Sequence, residues 1–245
     1  MAVRFASYNV CFPLWAHDAS RSLNLISENF DVVALQEADQ RYCRSALAHL
    51  GSAEWGVLQQ IGRDNFNTTA VLYRKSVAGD GVLVQHSDKM HKWCNTRCLR
   101  GKTVVWFPKI KTLVLSAWLG HGDTLAGACN KLNTRNLRIS DADRGLKIVY
   151  GADTNLWQNE LSGATVSITI NGVRHALQAP ETAPVTGHRE KYFWTKAQRT
   201  PEEVVTEMVH TGDYVLCSES ATPQPLLTEQ SVEASDHLPV FYTTD

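Results

Sequence analysis

A chain of 245 residues, 43% hydrophobic and 20% charged, can bury one sizeable core or at most two small ones. With 24 basic against 25 acidic residues, its formal net charge of -1 excludes a polybasic nucleic-acid coat or an acidic tail, so a phosphate-rich partner has to be held by a local patch or a metal. No stretch approaches ~20 apolar residues and the opening MAVRFASYNV lacks a signal-peptide pattern, so no membrane insertion and an intracellular location, cytoplasmic or nuclear, are expected.

Val3 to Val10 alternates and predicts a strand. Ser20 to Asn29 sets Leu23, Ile26 and Phe30 at helical spacing, with Asp18 or Ser20 as cap. DVVALQE is a short apolar run ending in a carboxylate, Glu37, and Ala38 to Leu50 reads as a helix closed by Gly51. Strands are expected at Trp55 to Gln60, Thr69 to Tyr73 and Gly81 to Gln85. Ser87 to Lys102 is the least regular segment, with Lys89, His91, Lys92, Arg97, Arg100 and Lys102 around Trp93. His91, Cys94 and Cys98, with His86 as the nearest fourth ligand, fall short of the tight spacing of a structural zinc site, and a loop with two free thiols is preferred. The six scattered cysteines read as reduced thiols.

Thr103 to Phe107 and Thr112 to Leu119 form a strand pair around Pro108. Thr124 to Ile139 fits a helix, Leu146 to Gly151 a strand, and Thr165 to Ile170 a strand before the Asn171-Gly172 hairpin signal. Tyr214 to Cys217 and Leu238 to Tyr242 are late strands. No repeat or linker divides the chain, so one α/β or α+β domain over 1–245 with a mixed sheet is expected.

Polar residues gather where these strands end. Asn9 closes the first, Glu37 the second, Asp153 and Asn155 follow Gly151, Asp213 precedes Tyr214, and Ser235-Asp236-His237 precedes the last strand. Singly, each is explained by a turn, a helix start or a cap. Together, Asn, Glu, Asp and His without soft ligands suit a hard cation whose shell is completed by water and substrate phosphate. An Asp directly before a His, as Asp236 before His237, can also fix the tautomer of the imidazole where the fold brings the carboxylate onto a ring nitrogen. Gly151 is read as the residue that swings the chain off its strand.

ASYNV, DVVALQEAD, YGADTNLW, GDYVL and SDHLPV resemble, in order and from Tyr8 to Val240, the dispersed motifs of the endonuclease/exonuclease/phosphatase superfamily. NTTAVLYRK and TRNLR near Arg135 are looser matches. The resemblance implies a four-layered α/β sandwich, two mixed sheets face to face with helices outside, and a Mg2+-dependent phosphoester hydrolase, Mn2+ being an alternative. It implies Glu37 as principal metal ligand with Asn9 beside the metal, Asp153 orienting or deprotonating water, and Asn155 donating to charge on phosphorus. It further implies Asp213 as support and Asp236 orienting His237 against a nonbridging oxygen.

The sequence departs where many members have N-T-H-L. LVLSAWLGHGD puts Trp118 at the histidine position and Ser116 at the asparagine position, with His121 three residues later as a substitute. The form G-x-D-T-N-L and the segment KYFWT are most similar to the 5′-tyrosyl-DNA phosphodiesterase branch. Arg97, Arg100, Arg189, Lys191, Trp118 and Trp194 are candidate phosphate and base-stacking contacts. The favoured reading is a monomeric phosphodiesterase acting on nucleic acid or a DNA end. The alternatives are a phosphatase for an inositol phosphate or similar small molecule, and a non-catalytic binding protein that keeps the fold.

Overall fold

Alternation of side chains along the strands sorts the buried residues into three layers, and these fix how the sheets stack. The computed structural model describes residues 2–11, 16, 18–60, 68–86, 88, 99–121, 124–140, 145–156, 161, 163–180, 186–188, 208–210, 212–219, 223–235 and 237–244. Its strands are β1 (Arg4–Asn9), β2 (Val32–Gln36), β3 (Trp55–Leu58), β4 (Thr69–Arg74), β5 (Val82–Leu83), β6 (Leu99–Phe107), β7 (Thr112–Leu119), β8 (Thr134–Leu137), β9 (Lys147–Asp153), β10 (Thr165–Ile170), β11 (Val173–Gln178), β12 (Gly187–His188), β13 (Met208–His210), β14 (Asp213–Cys217), β15 (Gln224–Pro225) and β16 (Val240–Thr243). The helices are α1 (Ser20–Asn29), α2 (Gln40–Leu50), α3 (Lys75–Ala78), α4 (Leu125–Leu132) and α5 (Glu229–Ala234).

Two mixed sheets, ordered β15-β16-β1-β2-β4-β3 and β14-β9-β7-β6-β5, form the centre. The pairs β1–β2 and β7–β9 are parallel and the others antiparallel. Their inner faces meet through Phe5, Val32, Ala34 and Val71 on one side and Val105, Val114, Val149 and Val215 on the other. The outer face of the first sheet, with Tyr8, Val33, Leu35 and Leu72, is covered by Leu23, Ile26 and Phe30 of the α1 segment, by Tyr42 and Ala46 of α2, and by Ala234 of α5.

The outer face of the second sheet is covered differently from expectation. Leu115, Ile148 and Tyr150 lie beneath α4 and beneath a small sheet ordered β11-β10-β8, through Leu132, Leu137, Val166, Ile168 and Ile170. The helix expected to reach Ile139 stops at Leu132. Asn133 leaves the helical region (φ -52°, ψ 130°), and its side-chain oxygen accepts the Ser167 amide at 2.6 Å. The following Thr134–Leu137 pairs in parallel with β10. The Asn171-Gly172 turn forms as expected, with φ of 50° and 83°.

Two further boundaries differ. Leu99 to Lys102, expected to be irregular, open the nine-residue strand β6. Gly151 does not bend the chain, because β9 continues through it to Asp153. A Cβ added there would lie 2.5 Å from Ala34 Cβ and 2.9 Å from Ser7 Cβ and Oγ, so the glycine lets the sheets approach.

Along the inner faces the apolar centre gives way, toward one end, to buried Ser7, Gln36, Thr69, Thr103 and Ser116. Gln36 Nε2 donates to Ser116 Oγ at 3.1 Å, Ser116 Oγ to the Leu35 carbonyl at 2.8 Å, and Thr103 Oγ1 to the Thr69 carbonyl at 2.9 Å. This paired layer joins the two sheets directly beneath the polar strand ends, where an unpaired group would be costly.

Candidate active site

Strand register assembles the site. Trp118 of β7 stands beside Asp153 of β9 in the parallel pair, and Asp153 stands opposite Asp213 of β14 in the antiparallel one. Asn9 ends β1 beside Gln36 of β2, so Glu37 follows at the same level. Glu37 and Asn155 both adopt left-handed backbone, with φ of 57° and 50°. For Glu37, which has no short side chain to compensate, this costs roughly 1 kcal/mol or more, and such strain gathers at functional positions.

Asn9 is the hub. Its Nδ2 donates to Asp153 Oδ2 at 2.8 Å and toward Glu37 Oε1 at 3.3 Å, while its Oδ1 accepts the Cys11 amide at 2.9 Å. Reversing the amide would put two oxygen acceptors 2.8 Å apart, so the orientation is set by its neighbours. Asn9 is thus an amide donor that holds two carboxylates side by side. Asp153 also accepts the Asn155 backbone amide at 2.9 Å, an Asx-type turn at the strand end. Asn155 Nδ2 donates to the Leu119 carbonyl at 2.7 Å and lies 3.5 Å from Asp153 Oδ2, so its donors face into the protein.

His237 Nδ1 is 2.7 Å from Asp213 Oδ2, which also accepts Thr186 Oγ1 at 2.5 Å. An ionised carboxylate only accepts, so Nδ1 carries the proton and Nε2 is the ring's remaining nitrogen. Asp213 is 1% exposed and the His237 ring 14% exposed. Ser235 Oγ donates to the Asn9 carbonyl at 2.6 Å and accepts the His237 amide at 3.2 Å, tying this segment to β1. The carboxylate on His237 Nδ1 is thus Asp213, 24 residues away in sequence. Asp236 lies outside the described residues. Thr186 was not singled out from the sequence, since a Thr in a Pro- and Thr-rich loop carries no signal of its own.

Asp153, Asp213 and His237 bring one ligand atom each within 4.8 Å of one another, a group able to hold a metal ion. The Arg100 guanidinium lies 4.4 Å from the centre of the Trp118 ring, and Trp118 Nε1 is buried without a partner among the described residues. His121 is exposed and lies beyond the end of β7, so Trp118 is the residue in register with Asp153. Arg97, Arg189, Lys191, Trp194, His91, Cys94 and Cys98 lie outside the described residues. His86 serves the fold: Nε2 donates to the Lys102 carbonyl at 3.1 Å, and Nδ1 accepts the Asp88 amide at 3.3 Å. Burial pushes its pKa down.

Two facing mixed sheets with a carboxylate, amide and imidazole cluster at their strand ends define a class of phosphoester hydrolases. The Endonuclease/Exonuclease/phosphatase family profile matches residues 6–237, and the chain belongs to that family. No curated protein matches it by sequence. Among solved structures it is similar to D. rerio TDP2 complexed with single-strand DNA product (16% identity, 99% of this chain and 98% of that one, TM-score 0.58). It is also similar to the Bacteroides thetaiotaomicron mannosyl-6-phosphatase Bt3783 (12% identity, 99% and 100%, TM-score 0.56). A third is the inositol polyphosphate 5-phosphatase domain of SPsynaptojanin, in complex with inositol (1,4)-bisphosphate and calcium ion (16% identity, 99% and 84%, TM-score 0.53). At these identities the likeness is one of fold. Among the described residues no helix is long and apolar enough to cross a membrane.

Proposed function

We propose that the protein is a divalent-metal-dependent phosphodiesterase acting on nucleic acid, with a DNA end as favoured substrate. The observation that carries this reading is the convergence of Asn9, Glu37, Asp153, Asp213 and His237 at one end of the facing sheets. The donor set is carboxylate and amide oxygen without thiolate, which fits Mg2+ or Mn2+. Glu37, with Asn9 beside it, would hold the cation, and water and substrate phosphate would complete its shell. A bound cation would neutralise phosphoryl charge and acidify water.

The protein's own groups do the rest. Asp153, fixed by the Asn9 side chain and the Asn155 amide, takes the proton of the attacking water. His237, held by Asp213, offers Nε2 to a nonbridging oxygen and, once protonated, stabilises the charge that grows there. Trp118, backed by Arg100, provides an aromatic and cationic wall beside Asp153, suited to a base or aromatic group next to the scissile phosphate. TDP2 sharing the fold with a DNA product bound supports this choice of substrate class.

A phosphatase for a sugar or inositol phosphate is the second reading, favoured by the two phosphatases that share the fold. A hydrolysis panel with Mg2+ and Mn2+ separates them, using single- and double-stranded DNA, RNA, 5′-tyrosyl ends, inositol phosphates and mannose 6-phosphate. Turnover on DNA ends, lost with EDTA and in Asp153→Asn, is expected. Turnover confined to the small molecules would replace the first reading by the second. No metal-dependent turnover on any substrate, with no metal bound near Glu37, would remove both.

A further inference from the structure

The small outer sheet carries charge in an arrangement that the strand-end site does not use. Its solvent face follows from alternation: Val166, Ile168 and Ile170 of β10 are buried, leaving Ser167 and Thr169 on the other side. Thr169 stands opposite Arg174 of β11, and Ile168 opposite Thr134 of β8, so Arg135 falls next to Thr169 on the other flank. Arg135 and Arg174 are both exposed. Two strand spacings put their Cα atoms roughly 10 Å apart, within reach of one shared anion. With Asn133, Ser167 and Thr169 they line a cavity of about 270 Å³.

The hydrogen-bonding state of the lining decides what it can take. Ser167 Oγ accepts Arg174 Nε at 2.9 Å and Nη2 at 2.7 Å, so with both lone pairs taken its own proton is left to donate. Asn133 Oδ1 accepts the Ser167 amide, leaving its NH2 group. Arg174 keeps three of its N–H donors and Arg135 has five. Among the described residues no carboxylate lines the cavity. A pocket of donors and two fixed positive charges, on a chain of net charge -1, is complementary to an oxyanion and to little else.

We propose that this cavity is a second phosphate-binding site, separate from the strand-end carboxylates, that takes one tetrahedral phosphate group. The phosphate of a monoester and the backbone phosphate of a single strand offer it the same oxygens. The proposal stands independently of the reaction carried out at the other site.

Amide chemical-shift mapping of the full chain with inorganic phosphate tests it residue by residue. Saturable movement at Ser167, Thr169 and Arg174 is expected, and in Arg135→Ala that movement should require about tenfold more phosphate. Arg135→Ala is the informative variant because the Arg174 side chain also braces Ser167. The second arm titrates a deoxynucleoside 5′-monophosphate and a short single-stranded oligonucleotide. A strand backbone is the source if the oligonucleotide binds more tightly and the Arg135→Ala/Arg174→Ala variant lowers its salt slope by ~0.7, as one neutralised phosphate of a single strand requires. A free phosphate or monoester is the source if the three ligands bind alike. No movement at these three residues with any ligand, or unchanged movement in Arg135→Ala, would overturn the site.

Discussion

Asp213 and Asn9 show how much of this site rests on single side chains that need not touch substrate. In the proposed mechanism Asp213→Asn keeps the size of the group but exchanges an acceptor-only carboxylate for an amide that can favour the wrong imidazole tautomer. Turnover is expected to fall roughly 10²- to 10⁴-fold with little change in KM, read from steady-state kinetics on the substrate the panel identifies. A loss below tenfold would mean that Asp213 does not orient the His237 imidazole. Asn9→Asp is the complementary test, since it places a third carboxylate against Asp153 and Glu37. It should weaken activity at low metal, and raising Mg2+ should recover part of it, because a cation relieves repulsion that an amide otherwise avoids. Activity that no longer responds to metal would argue against a cation at this position.

At the scale of elements, the closeness of the sheets is set by Gly151. The Gly151→Ala variant forces a contact with Ala34 and Ser7 and should cost about 1–3 kcal/mol in urea unfolding, as overpacked cores do. Adding Ala34→Gly should return part of that loss, a coupling that two independent sites would not show. The elements themselves were mostly legible: β1, β2, β4, β7 and β10 alternate or run apolar between clear breakers, and α1 and α2 show their spacing. The α4–β8 boundary was hidden because Leu125, Cys129, Leu132 and Ile139 keep helical spacing through a change of element, with Asn133 the sole sign of a break. The residues of the site could be named from the motifs, but their partners could not. Periodicity says nothing about which carboxylate meets His237, or that Asn9 turns its amino group rather than its oxygen to Glu37, because these contacts are made between distant segments.

Over the whole molecule, one fully buried cation ties the second sheet to its covering. Lys102 Nζ bonds Asp88 Oδ2 at 2.7 Å, the Lys131 carbonyl at 2.8 Å and Thr134 Oγ1 at 3.0 Å. Burial lowers the Lys102 pKa and the Asp88 charge opposes that shift. Removing the partner in Asp88→Ala leaves the charge uncompensated and should cost about 3–5 kcal/mol in denaturant unfolding, whereas an exposed pair would cost under 1. His86, beside the same pair, adds a pH dependence. Its folded pKa lies below the ordinary 6.5, so the unfolded chain binds more protons as pH falls through that value. The His86 contribution to stability is therefore present above pH 6.5 and lost as pH drops toward the folded pKa. His86→Gln should flatten the acid limb of the stability curve below about pH 6.5, measured by urea midpoints.

The pairing of β1 with β16, Arg4 against Thr243, has a consequence for when the protein becomes competent. Asn9 and Ser235 are 226 residues apart in sequence, and Ser235 locks the His237 segment to the end of β1. Until β16 docks on β1, the imidazole is missing from the cluster even where the other strands are paired. In the proposed mechanism, turnover would therefore report the fraction of molecules in which this long-range pairing has formed.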